Sequence, residues 1–383
     1  MKVTDIILGE WKAIWRDKRL LAVMFIIPVA YMVVFGSMYS QGQVQELPTI
    51  YIDESNTQVS QQMLQAFDQS STFQLRDSVT TEQQLIQMLE TGNAAVGIII
   101  PADFSEKLKQ NSSTGVLVLV DGSNMMISNA AVRNANEIVQ TFSGSISVKR
   151  LEAKGIQSST APIQYSYRIL YNPGFSYGIF LLLGLMGAVI QQIMFMGISL
   201  AITREKESGT WSSYKTLFLR PWRILYAKSL PYFLIGCVNI LIMNGILIHH
   251  FSIPFLGSYF GFVLLSIAFL ISVLGIGFLA SLVSKSQLAA TQITMLVALP
   301  SFLLSGFTWP FDAMPGWVAA IGHCLPLTYF LHGMREIAIK GNGLEHIIGD
   351  VQVLLIMAFG SILISLLGLY IRGRKISTTC ESK

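Results

Sequence analysis

Charge is scarce in this chain: 13% of its 383 residues are Asp, Glu, Lys or Arg, against 52% that are hydrophobic. A soluble domain carries about 25% charged residues, so a large part of this molecule is not built to face water. Cysteine is nearly absent. Cys237, Cys324 and Cys380 are the three present, and their spacing forms neither a disulfide framework nor a thiolate metal site. There is no G-x-x-x-x-G-K-[ST] run, so the chain holds no nucleotide by a P-loop. Leu304-Ser305-Gly306 starts like an ATPase signature loop but continues into an apolar stretch as Phe-Thr-Trp. The first apolar run is too long for a signal peptide and no small-x-small cleavage site follows it, so it is expected to stay as a membrane span. No acid lies inside any long apolar run. A proton- or sodium-coupled pump needs a buried carboxylate, so energy for any transport must come from elsewhere.

What the chain does have is six apolar runs: Leu20–Tyr39, Phe175–Ile202, Ser229–Ile248, Phe255–Val283, Leu288–Phe307 and Val351–Ile371. A hydrocarbon core of about 30 Å is crossed by about 20 helical residues, and each run meets or approaches that length. Pro28, Pro231 and Pro300 are tolerated where neighbouring helices re-satisfy the freed carbonyls. Gln191, Gln192, Asn239, Asn244 and Gln292 are the strongly polar residues inside the runs, suited to interhelical hydrogen bonds.

Charge then orients the runs. With both termini inside, the internal pieces 1–19, 203–228, 284–287 and 372–383 hold 16 Lys/Arg against 6 Asp/Glu. The external pieces 41–172 and 310–350 hold 8 against 12 and 2 against 4. This is the positive-inside bias. The net charge of +4 therefore reports membrane sidedness and implies no nucleic-acid partner.

Residues 1–19 read as an amphipathic helix at the inner interface. Val3, Ile7, Trp11, Ile14 and Trp15 recur at spacings of three and four, with Lys2, Asp5, Lys12 and Arg16 opposite. Such a helix is either a flanking anchor or an elbow that also touches a cytoplasmic partner. The first run occupies 20–40 and the remaining five lie within 173–371. Between the second and third runs lies a charged island, Thr203-Arg-Glu-Lys-Glu-Ser-Gly-Thr-Trp211, opening a loop over 203–228 that suits docking to a soluble partner. Within it Arg204, Glu205, Lys206 and Glu207 are expected to form salt bridges at the inner end of the second run. Gly209 is expected to turn the chain toward Trp211 and Tyr214.

The insertion at 41–172 reads as a small α/β domain with buried strands. Strands are expected at Leu47–Ile52, Phe73–Leu75, Ala94–Ile100 and Val116–Val120, and helices at Val59–Phe67, Thr81–Leu89 and Met125–Lys154. Asp53, Glu54 and Asp121 stand at strand ends without a neighbouring His, nucleophile or second metal ligand, and read as turn and capping residues.

The segment 308–350 is too apolar for water and too broken to span. Its pieces on either side of Pro326 have roughly a dozen residues each, about 18 Å of helix, and are expected to re-enter the outer leaflet. Trp309, Phe311, Trp317 and Phe330 would border an exit vestibule or anchor the segment to lipid. Arg335 and Glu336 would lie at membrane depth or cap the vestibule's outer end.

Three motifs in order carry a family resemblance. Arg204-Glu-Lys-Glu-Ser-Gly-Thr-Trp follows the second run, Leu304-Ser-Gly-Phe with Pro310 and Met314-Pro315 follows the fifth, and Pro326-Leu-Thr-Tyr with Arg335 and Lys340-Gly341 lies beyond. With them, Tyr51-Ile-Asp53-Glu-Ser-Asn, Gly97-Ile-Ile-Ile-Pro101-Ala-Asp-Phe104 and Val120-Asp121-Gly-Ser-Asn124 resemble the drug-exporting branch of ABC-2 type exporter permeases, over essentially the whole chain. The resemblance implies a six-helix bacterial inner-membrane permease that is no enzyme itself and binds no cofactor or metal. ATP and Mg²⁺ would be held by separate cytoplasmic ATPase subunits. It implies a second permease copy or paralogue, and a coupling role for Arg204, Glu205, Lys206, Glu207, Gly209, Thr210 and Trp211. A periplasmic adaptor protein is left open as a further partner. One departure is the stretch from Ser212 to Trp222, where the family more often has a Leu-Leu-x-Thr-Pro run. The alternative readings are a membrane sensor with an external ligand-binding domain and an envelope assembly factor.

Overall fold

Among the described residues, six helices are long and apolar enough to cross a membrane: Lys18–Met38, Gly178–Glu207, Pro221–His249, Tyr259–Val283, Gln287–Leu304 and Ile348–Leu369, called spans one to six below. The computed structural model describes residues 3–39, 44–110, 112–153, 171, 177–211 and 221–381. The chain divides into two units, one of Met1–Ser40 with Ser176–Lys383 and the other of Gln41–Phe175.

In the first unit an elbow helix, Val3–Arg16, precedes span one. Asp17 separates the two: its backbone is extended, and Oδ1 accepts the N–H groups of Arg19 and Leu20 at 3.1 Å each. That restarts the helix by capping its orphan donors. Span one then loosens into a π turn over Ala22–Ile26. Pro28 follows, and its ring would collide with the Met24 carbonyl in a regular helix, which the widened turn relieves.

Span four is the centre of the bundle, 67% buried, whereas spans one, five and six are 28%, 22% and 28% buried and present apolar faces outward. Lipid gives helices no hydrophobic reason to associate, so close approach at small residues and interhelical hydrogen bonds do the work. Gly277 is such a point, where an added Cβ would lie 2.6 Å from Ile198 Cγ2. There the Ser199 hydroxyl of span two donates to the Gly277 carbonyl at 2.9 Å. Gly184, Gly187 and Gly197 lie against Phe307, Leu331 and Tyr232 respectively, so they serve packing inside this chain. Gln191 is fully buried in span two, and among the described residues neither of its amide atoms has a partner.

Beyond span five, a 3-10 turn at Phe311–Ala313 leads to two short helices, Gly316–His323 and Pro326–Met334. The chain loosens into a second π turn, Arg335–Ile339, and closes at Gly341, whose φ of 70° lies in the left-handed region. With 8 and 9 residues, the two helices reach about 12–14 Å, too short to cross a bilayer.

The second unit is an α/β fold. Its strands are β1 (Leu47–Asp53), β2 (Phe73–Ser78), β3 (Val96–Ile100) and β4 (Leu117–Val120), in the order β2-β1-β3-β4. β1 runs parallel to β2 and β3, and β4 is antiparallel to β3. Helices Gln58–Asp68 and Glu82–Glu90 make the parallel crossovers, capped by Thr57 and Thr81. The central strands read as buried runs because helices cover them: Ile50, Ile52, Val96, Ile98 and Ile100 are buried. Phe104–Lys109 and Met125–Ala153 complete the unit. Asp53 Oδ1 accepts the Ser55 and Asn56 N–H groups, and Asp121 accepts from Ser123, which makes both turn residues.

Candidate functional site

The four charges of the island, Arg204 to Glu207, do not lie in a loop. Residues 204–207 form the last turn of span two, whose helix runs Tyr177–Glu207. Nothing before Gly209 breaks the helix, and Gly209, at φ 76°, ends it. Continuing the helix places four successive charged side chains in four directions, and each finds a different partner.

Arg204 Nη2 lies 3.2 Å from Glu10 Oε1 of the elbow helix. Lys228 of span three reaches Glu10 Oε2 at 2.5 Å and also pairs with Glu205. The Tyr232 hydroxyl donates to Glu10 Oε1 at 2.8 Å. Two acids thus face two bases, and Glu10 and Lys228 are each 2% exposed. Burying such charges costs several kcal/mol per ion unless pairing and hydrogen bonds replace water. Here each Glu10 oxygen is engaged.

Lys206 and Glu207 act on the other side of the helix. Lys206 donates to the carbonyls of Ser281, Leu282 and Ser284 at the C-terminus of span four. The Glu207 carboxylate accepts the Gln287 backbone N–H at 2.8 Å and its side-chain amide, at the N-terminus of span five. A cation at a helix C-terminus and an anion at an N-terminus both complement the helix dipole. One dipeptide therefore clasps the short turn between spans four and five. Thr210 bonds back to Ser208 at 2.9 Å, and Trp211 packs against the apolar core. The stretch 212–220, with Tyr214 and most of the departure from the family pattern, lies outside the described residues.

Sequence reading missed Glu10, Lys228, Tyr232 and Gln287. The elbow helix buries Ile6, Glu10 and Ile14, a stripe rotated from the face expected from Val3, Ile7, Trp11, Ile14 and Trp15, and Trp15 is 63% exposed. An acid four residues from two apolar neighbours within one stripe was the available signal.

The residues expected at an exit vestibule separate into three groups. Phe330 is no vestibule wall: it is fully buried and stacks on Phe269 of span four at 4.1 Å between centroids. An aromatic on the first turn after Pro326 faces the bundle because Leu327, Phe330, Leu331 and Met334 form one buried stripe. Phe311 stacks on His323 at 4.3 Å. Trp309 and Trp317 are exposed. Arg335 lies over the Phe307 ring at 4.8 Å, and burial lowers its pKa.

Glu336 is buried and belongs to a second polar network. Its Oε2 accepts from Asn342 at 2.6 Å, its Oε1 pairs with Lys340 at 2.5 Å, and His332 Nε2 lies 3.8 Å away. Burial pushes the Glu336 carboxyl up, but the bonds from Lys340 and Asn342 outweigh it and the net value falls below the usual range. His332 Nδ1 meets Asp350 Oδ2 at 2.8 Å, and that hydrogen bond raises the imidazole pKa above its ordinary value. Among the described residues, no group of three His, Cys, Asp or Glu is placed to hold a metal ion.

Between spans one, two and five runs an apolar groove of about 400 Å³, lined among others by Ile27, Tyr31, Gln192, Met196, Leu299 and Phe302. No charged side chain lines it. The clasp at Lys206–Glu207 holds the base of span five, and the Arg204–Glu10 pair holds the helix that leads into span one, so both flanking walls of the groove are tied at one end to the last turn of span two.

Residues 18–367 match the ABC-2 family transporter protein profile. The chain is 24% identical over 356 residues to the probable multidrug ABC transporter permease YbhR of Escherichia coli, covering 93% of this chain and 95% of that one. It is 28% identical over 262 residues, 68% of each chain, to the probable multidrug ABC transporter permease YbhS of the same organism. With the E. coli inner membrane transport permease YhhJ it shares 24% identity over 359 residues. Six apolar helices and a profile match over nearly the whole length make this chain a multi-pass membrane protein that belongs to the ABC-2 transporter family.

Proposed function

We propose that the chain is the permease of an ATP-driven exporter in a bacterial inner membrane, moving an amphipathic or hydrophobic substrate outward. Separate ATPase subunits, which bind the ATP and Mg²⁺, dock at the charged end around Arg204–Trp211, and two permeases assemble to enclose the path. The termini and the charged end are cytoplasmic, the α/β unit lies outside, and the short helices at 316–334 re-enter from the outer face. The positive-inside charge distribution supports this orientation.

The observation that carries the reading is the tie between the island and the groove. Displacing the last turn of span two pulls on Glu10 and on Gln287 together, and so on the elements that precede or form the walls of the groove. An uncharged groove takes apolar substrate surface without desolvating an ion. Tyr31 and Gln192 are left to meet its polar part.

The test is reconstitution with the cognate ATPase and measurement of ATP turnover against a panel of amphipaths, alongside their transport. Substrate-stimulated turnover with outward movement is expected. Reversal by Glu205→Lys or Glu207→Lys should abolish stimulation while the protein remains in the membrane. Wild-type transport by the reversed variants would refute the coupling role.

A further inference from the structure

We propose that the concavity between the elbow helix and span one binds the phosphate of an anionic phospholipid headgroup, through Arg16, Lys18 and Arg19. The inference requires only that the chain spans a membrane, and stands apart from what it exports.

The concavity is shallow and wide open, about 690 Å³, and is lined by Ala13, Arg16, Asp17, Lys18, Arg19 and Arg204. Four of these six carry positive charge. Asp17 offsets one of these charges while its Oδ1 caps the Arg19 and Leu20 N–H groups, which leaves the lining with a positive excess. Arg204 is already committed to Glu10. Among the described residues, Arg16, Lys18 and Arg19 join no ion pair. Like charges around one recess repel, and a bound anion relieves that repulsion.

The surroundings choose the source of the anion. On the elbow helix Leu8 and Trp15 are 57% and 63% exposed, and on span one Ile26 and Ile27 are 66% and 52% exposed. The cations therefore sit between two exposed apolar surfaces, at the depth where acyl contact gives way to headgroups. A lipid phosphate fills the recess while its chains lie along Ile26 and Ile27. A free phosphate has nothing to offer those side chains, and an acidic protein loop would leave them bare.

The experiment titrates phosphatidylglycerol, and separately phosphatidylcholine, into the delipidated full-length protein and counts retained lipid by native mass spectrometry. Arg16→Gln/Lys18→Gln/Arg19→Gln is compared with Arg372→Gln/Arg374→Gln/Lys375→Gln, which removes equal charge from the C-terminal flank. Each cation at a lipid surface contributes about fivefold in affinity, so the first variant should lose roughly a hundredfold for phosphatidylglycerol. The second should lose little. Should the triple variant fail to fold, Arg19→Gln alone is read for its fivefold loss. Equal losses in the two triple variants would reduce the site to diffuse surface charge and overturn the proposal. So would equal retention of the two lipids, or displacement by millimolar inorganic phosphate. Loss of ATPase co-purification with lipid retention intact would assign the cations to a protein partner instead.

Discussion

The two polar networks of the helical unit lie at opposite ends of span five and obey different rules. At one end Glu10, Arg204, Glu205, Lys228 and Tyr232 join the elbow helix to spans two and three. It contains no histidine, and its central residues are sealed from solvent. At the other end His332, Glu336, Lys340, Asn342 and Asp350 tie the second short helix to the start of span six, and the His332 side chain is 53% exposed. The first network is a rigid joint, because breaking a pair leaves the sealed Glu10 or Lys228 charge with no water to turn to. The second is adjustable, because His332 and Lys340 are only partly covered by protein.

The sharpest break of this comparison is Glu10→Ala against Glu336→Ala. Removing one partner from a sealed ion network costs about 3–5 kcal/mol. Around Glu336, Lys340 stays partly exposed, and the loss should be about 1–3 kcal/mol. Thermal unfolding of the purified proteins in one detergent measures both. Equal losses would mean that burial does not separate the two ends.

A second comparison asks whether tolerance in the two short helices follows exposure or merely position. Phe330→Ala removes a fully buried ring and should cost about 3–5 kcal/mol. Trp317→Ala, on the neighbouring short helix and 72% exposed, should stay within about 0.5 kcal/mol. The same unfolding assay decides.

Glu207→Gln separates stability from coupling at the charged end. An amide side chain still accepts the Gln287 N–H but loses the charge at the helix terminus, which is worth about 0.3–1 kcal/mol. Unfolding should barely move, while stimulation of the partner ATPase by substrate should fall several-fold. Unaltered stimulation would leave Glu207 a helix cap only.

The smallest expected effect is with pH. The His332 pKa is raised in the folded state, first by the Asp350 hydrogen bond and then by the charges of Asp350 and Glu336, with burial and Arg335 opposing. A raised folded value stabilises fully below the unfolded value, taken as 6.5, and the contribution disappears as pH rises through the folded value. Melting temperature should therefore decline upward from pH 6.5, by a small amount because solvent screens the half-exposed pair. His332→Gln should flatten that slope. Glu10→Ala should keep it, which ties the proton response to the His332 network alone.

Much of the architecture was legible from local pattern. The six runs, the α/β order of the insertion, the break at Pro326 and the close at Gly341 all follow from stretches of sequence that report their own environment. Legibility stopped at the site. The island's four charges were visible, but their helical conformation was not, because a charged stretch after an apolar one resembles a loop. Phe330 looked interfacial because aromatics flank it, and only the buried stripe it shares with Leu327, Leu331 and Met334 shows otherwise.

By itself the sequence determined that the chain enters a membrane, how many times, and which ends carry positive charge. Each of these depends on residues within one helix length. Only the tertiary structure decided what the charges hold. Glu10 meets Arg204 across 194 positions and Lys228 across 218, and Glu207 meets Gln287 across 80. Hydropathy and periodicity have a reach of a few residues, whereas an ion pair depends on distance in space, which the packing of the elbow helix and spans two, three, four and five supplies.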